Sequence, residues 1–323
     1  MSRPKILLTR RWPAEVHNYL AARYDVTLNE RDVPPGEEEL RAALRCCDAV
    51  CPTVTDKLTA EILQAGAGKV KILGNYGVGV SHIDLETCKR LGIVVSNTPD
   101  VLTEPTADIA VMLMLMTARG AGAGEREIRN RAWPGWGPMR NLGAEVTGRT
   151  LGLVGFGRIG QATARKAQRG FDMRIRYFSR RRAPQEVEAQ TGASHCESLD
   201  ELLGISDFVS LHCPGGAQNR HLIDARRLAQ MKKTAFLINT ARGEVVDEPA
   251  LVHALRAGTI AGAGLDVYEH EPQVPAELLP LENVVLLPHL GSATLETRTA
   301  MGMRVAQNLD SFFSGATPPD RVV

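Results

Sequence analysis

"TLGLVGFGRIGQATA", Thr150 to Ala164, runs from an apolar strand through a glycine turn into the start of a helix. Gly155, Gly157 and Gly160 stand at G-x-G-x-x-G spacing between the two. The bare pattern is weak, but strand, turn and helix together are the context it requires. That spacing predicts a tight turn at Gly155, close approach of a pyrophosphate at Gly157, and close packing of helix on strand at Gly160. The first turn of the helix then offers free N–H groups to phosphate oxygens.

C-terminal to this turn the pattern repeats. "MRIRYFS", "DFVSLHCP", "TAFLINTARG", "AGAGLDV" and "NVVLLPH" read as strands, with helical stretches such as "DARRLAQM" and "EPALVHALRAG" between them. This predicts an α/β fold, a doubly wound parallel sheet of the dinucleotide-binding type. A similar series precedes it: strands in "KILLT", "DVTLNE", "DAVCPTV", "VKILGNYG" and "GIVVSN", helices in "AEVHNYLAARY" and "EEELRAALRCC". Two parallel-sheet domains suit the 323 residues. Between the series lie "IAVMLMLM", expected as a fully buried helix, and the Gly/Pro-rich "RAWPGWGPMRNLG" with Trp133 and Trp136. Composition alone leaves that loop open between packing on its own domain and anchoring a subunit contact. Ser292 to Phe313 reads as one long amphipathic helix.

Formal net charge is +1, so nothing global draws the chain to nucleic acid or a membrane surface. The longest apolar run is too short to span a bilayer. The six cysteines form no CxxC pair, so no metal site or disulfide framework is expected, and a reducing cytoplasm is. The opening "MSRPKILLTRRWP" has no small-residue cleavage pattern, and no secretory signal is expected.

"YFSRRRAP", Tyr177 to Pro184, falls where such a domain usually carries an acid for the ribose hydroxyls. Here stand Ser179, Arg180, Arg181 and Arg182. A hydroxyl followed by guanidinium groups can accept a 2′-phosphate through charge-assisted hydrogen bonds. Ser179 and Arg180 are the leading candidates, Arg181 supports them, and Arg182 is a solvated bystander. NADP(H) is therefore the preferred cofactor, with NAD(H) possible. Three further strand ends carry polar groups: Arg242 in "NTARGEVVD", Asp266, Glu269 and Glu271 in "GLDVYEHEP", and His289 in "LLPHLGSAT". Ligands gather beyond the carboxyl ends of parallel strands.

With "NYGVGVSHID", "NTPDVLTEPTAD", "FLINTARGEVVDEPALVHAL" and "AGAGLDVYEHEP" in one order, nearly the whole chain resembles the D-2-hydroxyacid dehydrogenases, most of all the glyoxylate/hydroxypyruvate reductases. One departure is Ser81, where many relatives have an aspartate. The resemblance implies that Arg242, Glu271 and His289 are catalytic. His289 would be the general acid for a 2-keto acid carbonyl, Glu271 would orient it and favour its protonated form, and Arg242 would bind the substrate carboxylate. Val78 and Gly79, in a flexible loop, would give N–H groups to that carboxylate. Thr106, Arg158, Ile159, Thr240, Ala241, Asp266 and Gly291 would join the cofactor site, Asp266 at the nicotinamide carboxamide and Thr106 at a phosphate. His212 is read as structural, His82 and Asp84 as capping and packing residues, and His17, His195, His221, His253 and His270 as surface residues.

The resemblance also implies the domain plan. Residues 1–99 and 292–323 would form a flavodoxin-like substrate domain. Residues 100–291 would form the inserted NAD(P)-binding domain, with a dimerisation arm at about 100–147, and the two lobes would close on substrate. The expected partner is a second copy of the chain, whose Trp136 would reach across to limit the substrate side chain. Expected substrates are small 2-keto and 2-hydroxy acids. Alternatives are a 2-ketogluconate or broad-specificity reductase and, from another class, a dinucleotide-sensing corepressor. A phosphoglycerate dehydrogenase is disfavoured by the missing ribose acid and by a chain ending near Val323 without a regulatory domain. A formate dehydrogenase is disfavoured by Glu271, where that relative places an amide.

Overall fold

The computed structural model describes residues 3–323. They form two compact units, one of Met1–Leu102 with Ser292–Val323 and one of Thr103–Gly291.

The first unit is a parallel sheet of β1 (Lys5–Leu8), β2 (Asp25–Leu28), β3 (Ala49–Cys51), β4 (Ile72–Gly74) and β5 (Val94–Ser96), in the order β2-β1-β3-β4-β5. That is the flavodoxin-like order. β3 and β4 are buried at every residue, as strands covered on both faces are. The helices are α1 (Ala14–Ala21), α2 (Glu37–Cys46), α3 (Ala60–Ala65), α4 (Leu85–Leu91) and α12 (Leu295–Phe313). α3 and α4 escape the pattern reading because they are only 6 and 7 residues long. Their starts are set by caps: Thr59 accepts from the Ile62 N–H and Asp84 from the Thr87 N–H. Asp84 thus caps as expected, whereas His82 bonds to Asn75 Oδ1 at 2.9 Å.

The second unit holds seven parallel strands: β6 (Thr150–Val154), β7 (Arg174–Phe178), β8 (Ala193–His195), β9 (Phe208–Leu211), β10 (Phe236–Asn239), β11 (Gly262–Leu265) and β12 (Val284–Leu286). Their order is β12-β11-β10-β9-β6-β7-β8, so the winding reverses between β6 and β9. This is a Rossmann sheet. β8 is a three-residue edge strand, "ASH", too short to show a period. Helices α5 (Thr103–Ala118) and α7 (Arg158–Phe171) bury Leu113, Met114, Ala164 and Ala167 against one face. Helices α9 (Leu199–Ile205), α10 (Ala225–Gln230) and α11 (Glu248–Ala257) bury Leu202, Leu203, Leu228, Leu251 and Leu255 against the other. α6 (Ala121–Arg129) and α8 (Gln185–Thr191) complete the unit.

One expectation needs correction. α5 is not fully buried: Ala107, Ala110, Leu113, Met114 and Ala118 face the core, while Val111, Met112, Leu115 and Met116 are only half-buried. Its apolar residues surround the helix, but the sheet covers one side. Among the described residues, no helix is long and apolar enough to cross a membrane.

Candidate active site

At the end of β6 each glycine does a separate job. Gly155 has φ +93°, and a Cβ there would lie 2.7 Å from the backbone of His212 and Cys213. A Cβ on Gly160 would meet the Gly155 carbonyl oxygen at 2.5 Å. A Cβ on Gly157 would meet nothing within 4 Å, so the mouth of α7 is open where Gly157 caps it. Arg158 and Ile159 open that helix. The donor set fits a dinucleotide pyrophosphate, an anion at a helix N-terminus with room for close approach.

Further along the same sheet, three loops converge on one constellation. After β10, Asn239 folds the chain back: its Oδ1 accepts from the Ala241 N–H at 3.0 Å and its Nδ2 donates to the Arg242 carbonyl at 2.9 Å. This sets Arg242 at the head of a 3-10 turn, Gly243–Val245. A Cβ on Gly243 would fall 1.8 Å from the Tyr268 carbonyl carbon, so this turn rests on the backbone of the next loop. In that loop the Glu271 carboxylate accepts from the Tyr268 N–H at 3.1 Å and pairs with His289 Nδ1 at 2.8 Å. His289 has φ +56°. Asp266 stabilises that bend by accepting from the N–H groups of Leu290 at 2.6 Å and Gly291 at 2.9 Å.

The electrostatics follow from this packing. Burial pushes the Glu271 carboxyl up, but the His289 hydrogen bond and charge, the Tyr268 N–H and the Arg242 charge bring it below its ordinary value. Burial lowers the Arg242 guanidinium, against the pull of Glu271 and Glu244. Burial also raises the Asp266 carboxyl, more than its two backbone bonds and the His289 charge lower it. Asn239, Tyr268 and the loop-holding work of Asp266 were absent from the sequence reading. Only the Asn in "INTARG" gave a signal, since asparagine folds its own backbone into turns.

The buried Thr106 hydroxyl donates to the Gly291 carbonyl at 3.1 Å. Thr240 is 8% exposed and its Oγ1 lacks a partner among the described residues. Ser179 follows β7 and donates to the Arg181 carbonyl at 2.6 Å, while Arg180 and Arg181 are exposed. Arg182 is not merely solvated: it forms a two-pronged pair with Glu188. In the first unit, Asn75 donates to the carbonyls of Gly77 and Gly79 and Asn97 to that of Val78. The loop expected to be flexible is therefore tied down, with the Val78 and Gly79 N–H groups making no hydrogen bond among the described residues.

Trp136 is 84% exposed. His212 bonds to Ser210 Oγ at 2.9 Å and burial lowers it to about 4, which suits the structural role. His253 and His270 are exposed as expected and His17 is half-buried. His195 is not a surface residue: its side chain is only 12% exposed and packs edge-on against Tyr177, whereas His221 keeps about a third of its side chain exposed and sits 3.2 Å from both Glu269 oxygens. Their aromatic and acidic partners are distant in sequence, which hid them.

Residues 111–291 match the family model described as "D-isomer specific 2-hydroxyacid dehydrogenase, NAD binding domain". The chain belongs to the D-2-hydroxyacid dehydrogenases. It is 47% identical to the glyoxylate reductase of Thermococcus onnurineus, over 99% of this chain and 96% of that protein. It is 43% identical to that of Aeropyrum pernix, over 100% of this chain and 96% of that protein. Its fold matches the NADPH-dependent glyoxylate/hydroxypyruvate reductase of Sinorhizobium meliloti, solved with NADP and malonate, at a TM-score of 0.88 and 36% identity, covering 100% of this chain and 97% of that one. As a D-2-hydroxyacid dehydrogenase it is an NAD(P)-dependent oxidoreductase.

Proposed function

We propose that this dehydrogenase reduces glyoxylate and hydroxypyruvate to glycolate and D-glycerate, with NADPH as the preferred cofactor. The observation that carries the reading is the His289–Glu271 pair at 2.8 Å, sharing its charge environment with Arg242 at the carboxyl end of one sheet. The names of the relatives support the substrate class.

The nicotinamide, when bound, supplies a hydride to the substrate's carbonyl carbon. The residues do the rest. Arg242 holds the substrate carboxylate and polarises the carbonyl. Glu271 engages Nδ1 of His289 and leaves Nε2 to deliver the proton to the carbonyl oxygen. In the reverse direction the same nitrogen takes it back.

Ser179, Arg180 and Arg181 are assigned to the 2′-phosphate, because no carboxylate stands at the end of β7 and, among the described residues, neither guanidinium has a partner; the Ser179 hydroxyl would turn to the phosphate from the Arg181 carbonyl. The half-buried face of α5 and the exposed Trp133, Trp136, Met139 and Leu142 support a homodimer. The six unpaired cysteines suit a reducing cytoplasm.

The test is a turnover screen of glyoxylate, hydroxypyruvate, pyruvate and 2-ketogluconate with both cofactors. Glyoxylate and hydroxypyruvate should lead, and NADPH should outperform NADH. Arg180→Ala should weaken NADPH far more than NADH, since one hydrogen bond to a charged group is worth roughly 1.5–3 kcal/mol. Equal losses with both cofactors would sink the phosphate assignment, and a preference for 2-ketogluconate would move the enzyme to the sugar-acid reductases.

A further inference from the structure

The arginine turn is held from behind. Tyr177, next to last in β7, is fully buried, and its ring stacks on Phe156 with centroids 4.0 Å apart and planes 17° apart. Phe156 lies between Gly155 and Gly157, so one face of the ring touches the phosphate loop. The Tyr177 hydroxyl at the other end donates to Glu188 Oε1 at 2.6 Å and accepts the Ala183 N–H at 2.9 Å. Glu188, in α8 and only 10% exposed, takes Arg182 Nε and Nη2 on its two oxygens at 2.9 and 3.0 Å.

The turn from Ser179 to Ala183 is thereby fixed at both ends. Its start is fixed by the Gly155 N–H bond to the Phe178 carbonyl at 2.8 Å. Its end is fixed by the tyrosine hydroxyl, and the Ser179 bond to the Arg181 carbonyl tightens the middle. Arg182 is neutralised, while the guanidinium groups of Arg180 and Arg181 form no hydrogen bond or ion pair with any described residue.

We propose that Tyr177 and Glu188 are positioning residues for cofactor choice: they fasten the Ser179–Arg182 turn to the glycine loop so that Arg180 and Arg181 stand free for a 2′-phosphate. The inference rests on the NADPH reading above. The network keeps one protonation state across neutral pH. Arg182 and then Tyr177 hold the Glu188 carboxyl at about 2, and burial raises the Tyr177 phenol. A rigid turn matters because orientation fixed in advance is not lost on binding.

Tyr177→Phe keeps the stack on Phe156 and removes both hydroxyl bonds. Glu188→Gln keeps an acceptor for Tyr177 and ends the ion pair with Arg182. Each variant is assayed for kcat/KM with NADPH and with NADH, and for competitive inhibition by 2′,5′-ADP and by 5′-AMP. Tyr177→Phe should lose roughly tenfold in kcat/KM for NADPH and in affinity for 2′,5′-ADP, the scale of one hydrogen bond. Glu188→Gln should lose less in the same direction. Values for NADH and 5′-AMP should stay within about twofold of wild type.

An equal loss with both cofactors, or none with either, overturns the inference. Arg180→Ala run alongside separates the two levels. If it is selective while Tyr177→Phe is not, only the positioning role falls. If wild type does not distinguish 2′,5′-ADP from 5′-AMP and Arg180→Ala changes nothing, the NADPH reading fails and takes this inference with it.

Discussion

In the proposed mechanism His289 carries the chemistry, and Glu271 decides whether His289 can perform it. The Glu271 carboxyl is lowered from its ordinary value of about 4.3. A depressed carboxyl adds stability that is fully present above the unfolded value and is lost as pH falls through the folded one. Glu271→Gln should therefore unfold with a flatter pH dependence across the acid range below about pH 5, read by thermal melts in steps of pH. At neutral pH it should also lose roughly 10²-fold in turnover, because the imidazole loses its orienting partner. His289→Ala should lose at least as much while cofactor affinity stays near wild type. Wild-type turnover in either variant would remove the pair from proton transfer.

At the scale of elements, the site is three loops leaning on one another, and Gly243 is where two of them touch. Gly243→Ala would drive a methyl group into the Tyr268 backbone at 1.8 Å. The Arg242 turn and the Glu271 loop would have to separate. Expected costs are about 1–3 kcal/mol in urea-unfolding stability and a larger loss in kcat than in cofactor affinity. Unchanged stability would show that the loops yield freely. Gly157 makes the contrast, since its Cβ position is empty. The strand ends that carry Arg242, Glu271 and His289 were legible because parallel strands read as apolar runs and a polar residue after each run stands out. The supports were not legible: Asp266 holds Leu290 and Gly291 across 24 and 25 residues, and nothing local marks that span. Edge strand β8 and the short helices α3, α4, α8 and α9 were missed because so few residues carry no readable period.

The whole molecule raises the question of what covers its second unit. Trp136, Met139 and Leu142 are 84%, 80% and 68% exposed, and the loop bearing them is hooked to α6 by Glu127, which accepts from Arg140 and Asn141. A loop held this firmly with its apolar residues outward fits a docking surface better than a stray strand of chain. The half-buried α5 face argues the same way, because the sequence made that helix apolar all round and the sheet uses one side. In the homodimer reading Trp136 bounds the partner's substrate pocket, while its neighbours supply adhesion. Trp136→Ala should then leave a dimer in sedimentation velocity, since Trp133, Met139 and Leu142 remain. The same variant should gain roughly tenfold in kcat/KM for 2-keto acids with bulkier side chains, the scale of one methylene admitted to an apolar pocket, with glyoxylate little changed. A dimer with an unaltered substrate profile would leave Trp136 an adhesive residue only, and a monomeric wild type would refute the interface itself.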